Sequence, residues 1–485
     1  MIQIKRRTIA TLLCCCSALF SAATVYASND LPELGTVAGS TLSIDQENEI
    51  GGIYMRLMRS QLPLVTDPVL TEYLDDIGHR IVAYADNVKT PFQFFLVNNN
   101  TINAFAFFGG HVGVHSALFL YADNESELAS VLAHEIAHVT QRHLARSIEA
   151  QRKNTPATVA GVLGSIILAM AAPEAGIAAL QSTLALGQQA QINYTRSNEQ
   201  EADRIGMRSM VAAGFDANAV PSFFGKMAAQ YRFATKPPAM LLTHPLPESR
   251  IADSRNRAAR YPPRRVDDSL LFRLAKARVQ VRYSDYSADR AIDIFTKQLA
   301  SIDQRFRAAA EYGLVLAYLK QDNLTDAKPL ISKLLNQDPQ NLFYLDSYAD
   351  VMLASGQHQL AIDALQAARK NRPNNAVIEI NLANSYLEQG QIEQAQRLLE
   401  QLQILQPQNS TVLSLLSTVY RRLELNAQRY LTQAELLALR ANYELAIDQL
   451  QHAYRLSRQE PLQLARIDAR IKQMRLAQQQ LQQFK

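Results

Sequence analysis

Cysteine is confined to one place. Cys14, Cys15 and Cys16 are the only cysteines in 485 residues. All lie within the first 27 positions, so a chain cleaved after that segment has no disulfide and no thiolate metal ligand. Any metal must then be held by His, Asp or Glu. Charge of one sign is also scarce, with 49 Lys+Arg against 45 Asp+Glu. Setting aside Lys5, Arg6 and Arg7 leaves 46 against 45. No basic excess remains to build a nucleic-acid surface. No low-complexity tract dominates, which excludes collagen-like and elastic classes. What is abundant is apolar: 48% of residues are hydrophobic, enough for several buried cores and too much for a disordered chain.

The first 27 residues join a basic stretch (Lys5 to Arg7), an apolar run (Thr8 to Phe20) and small residues ending in Val25-Tyr26-Ala27. That is the layout of a secretory signal cleaved after Ala27. The apolar run is too short to span a bilayer comfortably. Leu13, before Cys14, stands where lipid-modified signals carry a small residue.

The rest divides into an N-terminal extension (28–42), a mixed domain (43–260), a linker (261–268, with Pro262-Pro263) and a helical domain (269–485). In the mixed domain, helical patterns cover Ser43–Arg59 and Asp67–Ala85. Strand-like stretches follow at Phe92–Val97 and Ala104–Val114, then a helix from Glu125 to about Ile148. Residues 157–187 are the most apolar part of the mature chain and read as a helical hairpin. Burial in the core, a lid over the site, or a peripheral membrane contact all suit it. In the last domain Ala327, Ala361 and Ala395 recur every 34 residues, each followed twelve positions later by Pro339, Pro373 and Pro407. This resembles the tetratricopeptide repeat, in which small Ala lets paired helices approach and Pro ends the second helix. Weaker units flank it around Ala291 and Ala446, the latter implying half a repeat inserted near 411–427. The expected fold is mainly α: an α+β domain with a short edge sheet, then an all-α solenoid.

Chemistry concentrates in His134-Glu135-Ile136-Ala137-His138. Positions four apart share a helix face, so both imidazoles can meet one ion, while Glu135 reaches its open side. Two His leave a catalytic zinc site short of a ligand. A third His at the metzincin spacing is missing, because Gln141 and Leu144 stand where Gly and His are needed. His143 falls off the face. Glu199 is the better candidate. Asp203, one turn beyond, is placed to accept a hydrogen bond from a ligand imidazole, whereas Glu201 points elsewhere. Three roles compete for His244, which precedes Pro245 in a loop: oxyanion stabiliser, fourth metal ligand holding the site latent, or structural residue. The second is the expected role. Arg250 is expected to pin that loop by pairing with a carboxylate.

The HEIAH helix, the RSNEQEAD segment, Asn103-Ala104-Phe105-Ala106 with Gly109-Gly110, and the THPLPESR stretch together resemble the zinc metallopeptidase family that includes the CAAX prenyl endopeptidases and the HtpX-like membrane proteases. Phe108 stands where family members often carry Pro. The resemblance implies one Zn2+ per chain, with Glu135 as general base and Asp203 as a second polar residue of the catalytic site. Joined to a signal and repeats, it is similar to periplasmic members of that family. That implies work on unfolded or stalled outer-membrane β-barrel proteins and their assembly machinery, met through the repeats: chaperone-like help and degradation of misassembled forms. The alternative is a repeat-based adaptor with little proteolysis.

Overall fold

The computed structural model describes residues 42–151, 188–232, 239–262 and 269–483. The signal segment and the apolar stretch 157–187 lie outside the described residues, as do linker positions 263–268. No helix among the described residues is long and apolar enough to cross a membrane.

The first domain opens with α1 (Ile44–Gln61), started by a capping box. Gln46 N–H donates to Ser43 Oγ at 3.1 Å, and Ser43 N–H donates to Gln46 Oε1 at 2.9 Å. Helix α2 (Pro68–Val82) begins at Asp67, whose Oδ1 accepts from the backbone of Val69 and Leu70, each at 3.2 Å. Strands β1 (Gln93–Val97), β2 (Ala104–Phe107) and β3 (His111–His115) form a sheet ordered β1-β3-β2, parallel between β1 and β3 and antiparallel between β2 and β3. Alternation decides its two faces. Phe94, Leu96, Ala104, Val112 and Val114 join the main core, whereas Phe95, Val97, Phe105 and Phe107 pack against Tyr54, Met55 and Met58 of α1.

The stretch 104–114 therefore folds as a hairpin rather than as one strand. Its turn, Phe108–Gly110, holds Gly109 and Gly110 at φ of 76° and 75°, and a Cβ on Gly110 would lie 2.0 Å from the Pro91 carbonyl oxygen. Only glycine fits there. Phe108, in the place of the family's usual Pro, enters this turn without a cis bond.

After α3 (Ala117–Tyr121) comes α4 (Glu125–Thr140), capped by Asn124. The helix expected to continue to Ile148 breaks instead. Arg142 adopts a left-handed φ of 53°, and α5 (His143–Gln151) sets off in a new direction. The turn is held from α1: Arg142 Nε donates to Glu47 Oε1 at 2.9 Å and its Nη2 to the Leu42 carbonyl at 2.6 Å. Then follow α6 (Gln188–Ala212), α7 (Ala219–Tyr231), α8 (Ala239–Thr243) and α9 (Glu248–Ala258).

The second domain is a run of antiparallel helices: α10 (Leu270–Arg282), α11 (Ala288–Gln298), α12 (Gln304–Lys320), α13 (Leu324–Gln337), α14 (Leu342–Ala354), α15 (His358–Asn371), α16 (Ala376–Glu388), α17 (Ile392–Leu405), α18 (Ser410–Arg422), α19 (Asn426–Ala438), α20 (Tyr443–Leu456) and α21 (Pro461–Gln483). Ala327, Ala361 and Ala395 are fully buried, each in the second helix of a pair. Left-handed turn residues recur at Asp322, Gly356, Gly390 and Glu424, 34 apart. No half repeat is inserted near 411–427: α18 and α19 begin 34 residues after α16 and α17. Ala446 misled because it lies in a first helix, where a buried small residue is equally at home.

The array packs along α1 and α2. Tyr73 meets Phe343 with ring centroids 6.3 Å apart, Glu72 accepts from Asn375 at 2.7 Å, and Ile53 joins the cluster of Ala434, Tyr443 and Leu450. At the centre lies Arg278, 1% exposed. Its Nε donates to Asp67 Oδ2 at 2.6 Å, Nη2 lies 2.6 Å from Asp346 Oδ2, and Nη1 donates to the Tyr312 hydroxyl at 2.9 Å. Asp67 thus caps a helix of one domain with one oxygen and pairs with the other domain through its second.

Candidate metal centre

Helix α4 carries His134 and His138 on one face because they are four residues apart. Helix α6 crosses close against it at Gly206, where a Cβ would come 2.8 Å from the Ala133 carbonyl oxygen. This approach brings Glu199 to both imidazoles: Oε2 lies 3.3 Å from His134 Nε2, and Oε1 lies 3.3 Å from His138 Nε2. Gly206→Ala overpacks the crossing and is expected to cost about 1–3 kcal/mol, read as a lower unfolding free energy in urea.

His244 follows α8 and reaches the same point. Its Nδ1 is 3.0 Å from Glu199 Oε1 and 3.4 Å from His134 Nε2. One donor atom from each of His134, His138, Glu199 and His244 falls within 4.8 Å of all the others. Glu135 stands beside this group, 1% exposed; its Oε1 lies 3.5 Å from His244 Nε2 and has no hydrogen-bond partner. Asp203, one turn beyond Glu199, places Oδ1 at 3.0 Å from His134 Nδ1. Arg250 binds Asp203 through Nε and Nη2, both at 2.7 Å, Glu199 through Nη1 at 2.9 Å, and the Pro245 carbonyl at 2.7 Å. The loop is pinned as expected, through a backbone oxygen and two carboxylates together.

One further residue, His143, joins the site against expectation, and Glu201, which points away from Glu199 and Asp203 as expected, meets it there. His143 Nδ1 sits 2.9 Å from His138 Nδ1, and His143 Nε2 sits 3.1 Å from Glu201 Oε2, which also accepts from Arg146 at 2.9 Å. A straight helix would carry His143 away from His138; the left-handed Arg142 folds it back. That left-handed residue is not Gly, and no pattern marked it in advance.

The electrostatics favour a cation. His134 Nε2 and His138 Nε2 are 3.0 Å apart, and two imidazole lone pairs that close repel unless a proton or an ion lies between them. Burial pushes His134 down, yet Asp203 and Glu199 more than offset it and raise it to about 10. Burial likewise opposes ionisation of Glu199, but His244, His138 and His134 hold it well below the usual carboxylate range. His138 is held down by burial, and His143 is pushed down to about 3 by burial and then by His138. Three carboxylates (Glu135, Glu199, Asp203) face one guanidinium (Arg250), an excess of negative charge that holds protons on His134 and His244 when no metal is present. That charge balance suits a divalent metal.

The profile of peptidase family M48 matches residues 68–258. Tetratricopeptide-repeat profiles match 312–376 and 352–419. Fold and site together define a metalloendopeptidase with a repeat domain. The chain is 49% identical to the putative beta-barrel assembly-enhancing protease of Vibrio cholerae, over 96% of each chain. It is 44% identical to the beta-barrel assembly-enhancing protease of Escherichia coli K12, over 99% of each. A mitochondrial metalloendopeptidase of Schizosaccharomyces pombe shares 31% identity over 37% of this chain and 51% of its own. The chain belongs to the beta-barrel assembly-enhancing proteases.

Proposed function

We propose that this protein is a periplasmic zinc endopeptidase, freed of its signal after Ala27, that acts in the assembly and quality control of outer-membrane β-barrel proteins. The convergence of His134, His138 and Glu199 beside Glu135 carries the reading. Its donor-to-donor separations of 3.0 to 3.3 Å lie near the edge, about 3.3 Å, of a tetrahedron with zinc–nitrogen bonds of roughly 2.0–2.1 Å. The barrel-assembly part draws on the names of the relatives, and the repeats supply a surface for clients and assembly partners.

His134, His138 and Glu199 would hold the zinc, which would serve as a Lewis acid toward a peptide carbonyl and lower the pKa of water. Glu135 takes the proton of the attacking water on its carboxylate and passes it to the departing amine. Asp203, with Oδ1 3.0 Å from His134 Nδ1, favours the tautomer that carries its hydrogen there, so that Nε2 stays free to ligate. The outer edge of β2 is unpaired among the described residues, and β2 packs against α4. An extended substrate strand adding there would lie alongside the metal helix. A cleft lined by Val131, Phe224, Met227, Met240 and Leu246 opens beside His134 and His244, a fit for an apolar substrate side chain.

His244 is read as a fourth ligand that closes the position a water needs and keeps the site latent. Its Nδ1 contacts with Glu199 and His134 support this, as does the Arg250 clasp on Pro245. Replacing His244 by Ala is expected to raise cleavage of an unfolded protein several-fold with zinc content unchanged. Lost cleavage with zinc still bound would sink the latency reading.

A further inference from the structure

The two imidazoles on α4 are secured in different ways. His134 meets a carboxylate directly, through Asp203. His138 instead meets His143, at 2.9 Å between their Nδ1 atoms, and His143 in turn meets Glu201, at 3.1 Å. With both imidazoles neutral, this row has one hydrogen arrangement. Glu201, facing the Arg146 guanidinium at 2.9 Å, can only accept. His143 must therefore donate from Nε2, which leaves its Nδ1 as an acceptor. His138 must then donate from Nδ1, and its Nε2 carries a lone pair toward Glu199 and His134. The reverse arrangement would put the His138 hydrogen on the atom that faces the metal, where no ligation is possible.

The local backbone is built for this contact. His143 is 3% exposed and Glu201 sits on α6 between Glu199 and Asp203. A side chain five residues after His138 on a continuous helix would point about 140° away. It returns only because Arg142 is left-handed, and the buried Glu47 holds that residue from another helix. A strained non-glycine conformation costs on the order of 1–3 kcal/mol and persists where surrounding structure enforces it.

We propose that His143 and Glu201 are positioning residues for the metal centre, fixing His138 as the Nδ1–H tautomer and aiming its Nε2 at the ion. One helix, α6, then supplies a ligand (Glu199), the support of the first imidazole (Asp203) and, through His143, the support of the second (Glu201). The inference rests on the metal-site reading above.

The test measures zinc affinity of the full chain by competition with a chromogenic chelator, together with urea unfolding of the metal-free protein. His143→Ala is expected to weaken zinc binding about 10–100-fold, the range for loss of such a support. Glu201→Gln shifts affinity in the same direction by less. The double variant matches His143→Ala alone, because Glu201 acts only through His143. His143→Asn, whose carbonyl can accept the His138 hydrogen, recovers part of the loss. Zinc affinity of His143→Ala within twofold of the natural chain overturns the proposal, even if metal-free stability falls. Effects of the two single variants that multiply in the double also overturn it. Failure of the underlying reading looks different: the natural chain then binds no zinc, or Glu199→Gln binds it undiminished.

Discussion

Replacing Glu135 by Gln lowers peptide hydrolysis by a factor of about 100 to 10,000, the usual contribution of a positioned general base, and leaves the zinc content at one per chain. The substitution keeps size and shape, so packing around α4 is undisturbed, and it removes the basic oxygen that accepts a proton. Glu135 is the right group because it is buried, lies next to the four converging donor atoms without being one of them, and has an Oε1 with no hydrogen-bond partner, 3.5 Å from His244 Nε2. A buried carboxylate oxygen with no hydrogen-bond partner, facing the converging donors, is the reason to assign Glu135 to chemistry. Hydrolysis of an unfolded protein and metal content by atomic absorption check both halves. Unchanged turnover refutes the base; loss of zinc makes Glu135 a ligand instead. The same variant separates enzyme from adaptor. Barrel assembly that still improves when hydrolysis is gone assigns that help to the repeats.

Replacing Arg278 by Ala costs about 3–5 kcal/mol of stability, the range for breaking a buried ion pair by removing one partner. Without the guanidinium, Asp67 and Asp346 remain buried and lose their shared partner, and the Tyr312 hydroxyl keeps only the Ser347 hydroxyl, at 3.2 Å, as a donor. Urea unfolding of the full chain measures the loss; a change under 1 kcal/mol refutes it. Lysine does not substitute well, because one ammonium cannot reach three partners in a plane. Acid acts on the same point. Burial raises Asp67, but Arg278 and Arg282 outweigh it and hold its folded pKa below the ordinary 3.8. Its contribution is therefore complete above that value and is lost as pH falls through the folded pKa. Asp350, pushed up by burial and by Asp346, works in the opposite sense and is neutralised earlier.

Much of this molecule was legible in its residues, for reasons that can be named. His134 and His138 declared themselves through a spacing that a helix converts into one face. Glu199 and Asp203 did so by the same rule one helix away, and Ser43 and Asp67 marked helix starts. His143 was misjudged by that very rule, whereas Glu201 points away from Glu199 and Asp203 as expected and meets His143. Helical periodicity holds only while the helix continues, and the break at Arg142 depends on Glu47, nearly a hundred positions earlier. The repeat phase was lost after Pro407, where Arg429 occupies the slot that Ala395 holds one period before; spacing persisted although the marker residue did not. Arg278 was invisible, since a buried charge reads like a surface one until its partners are known.

The packing of the repeats on α1 and α2 has a consequence for how clients are met. The helix faces of the array that touch α1 and α2 are already occupied, tenanted by the molecule's own catalytic half. On the function proposed above, a polypeptide client finds those faces closed and the remaining surface of the repeats open to it. Handing it to the metal then means travelling around the seam at Arg278 rather than through it.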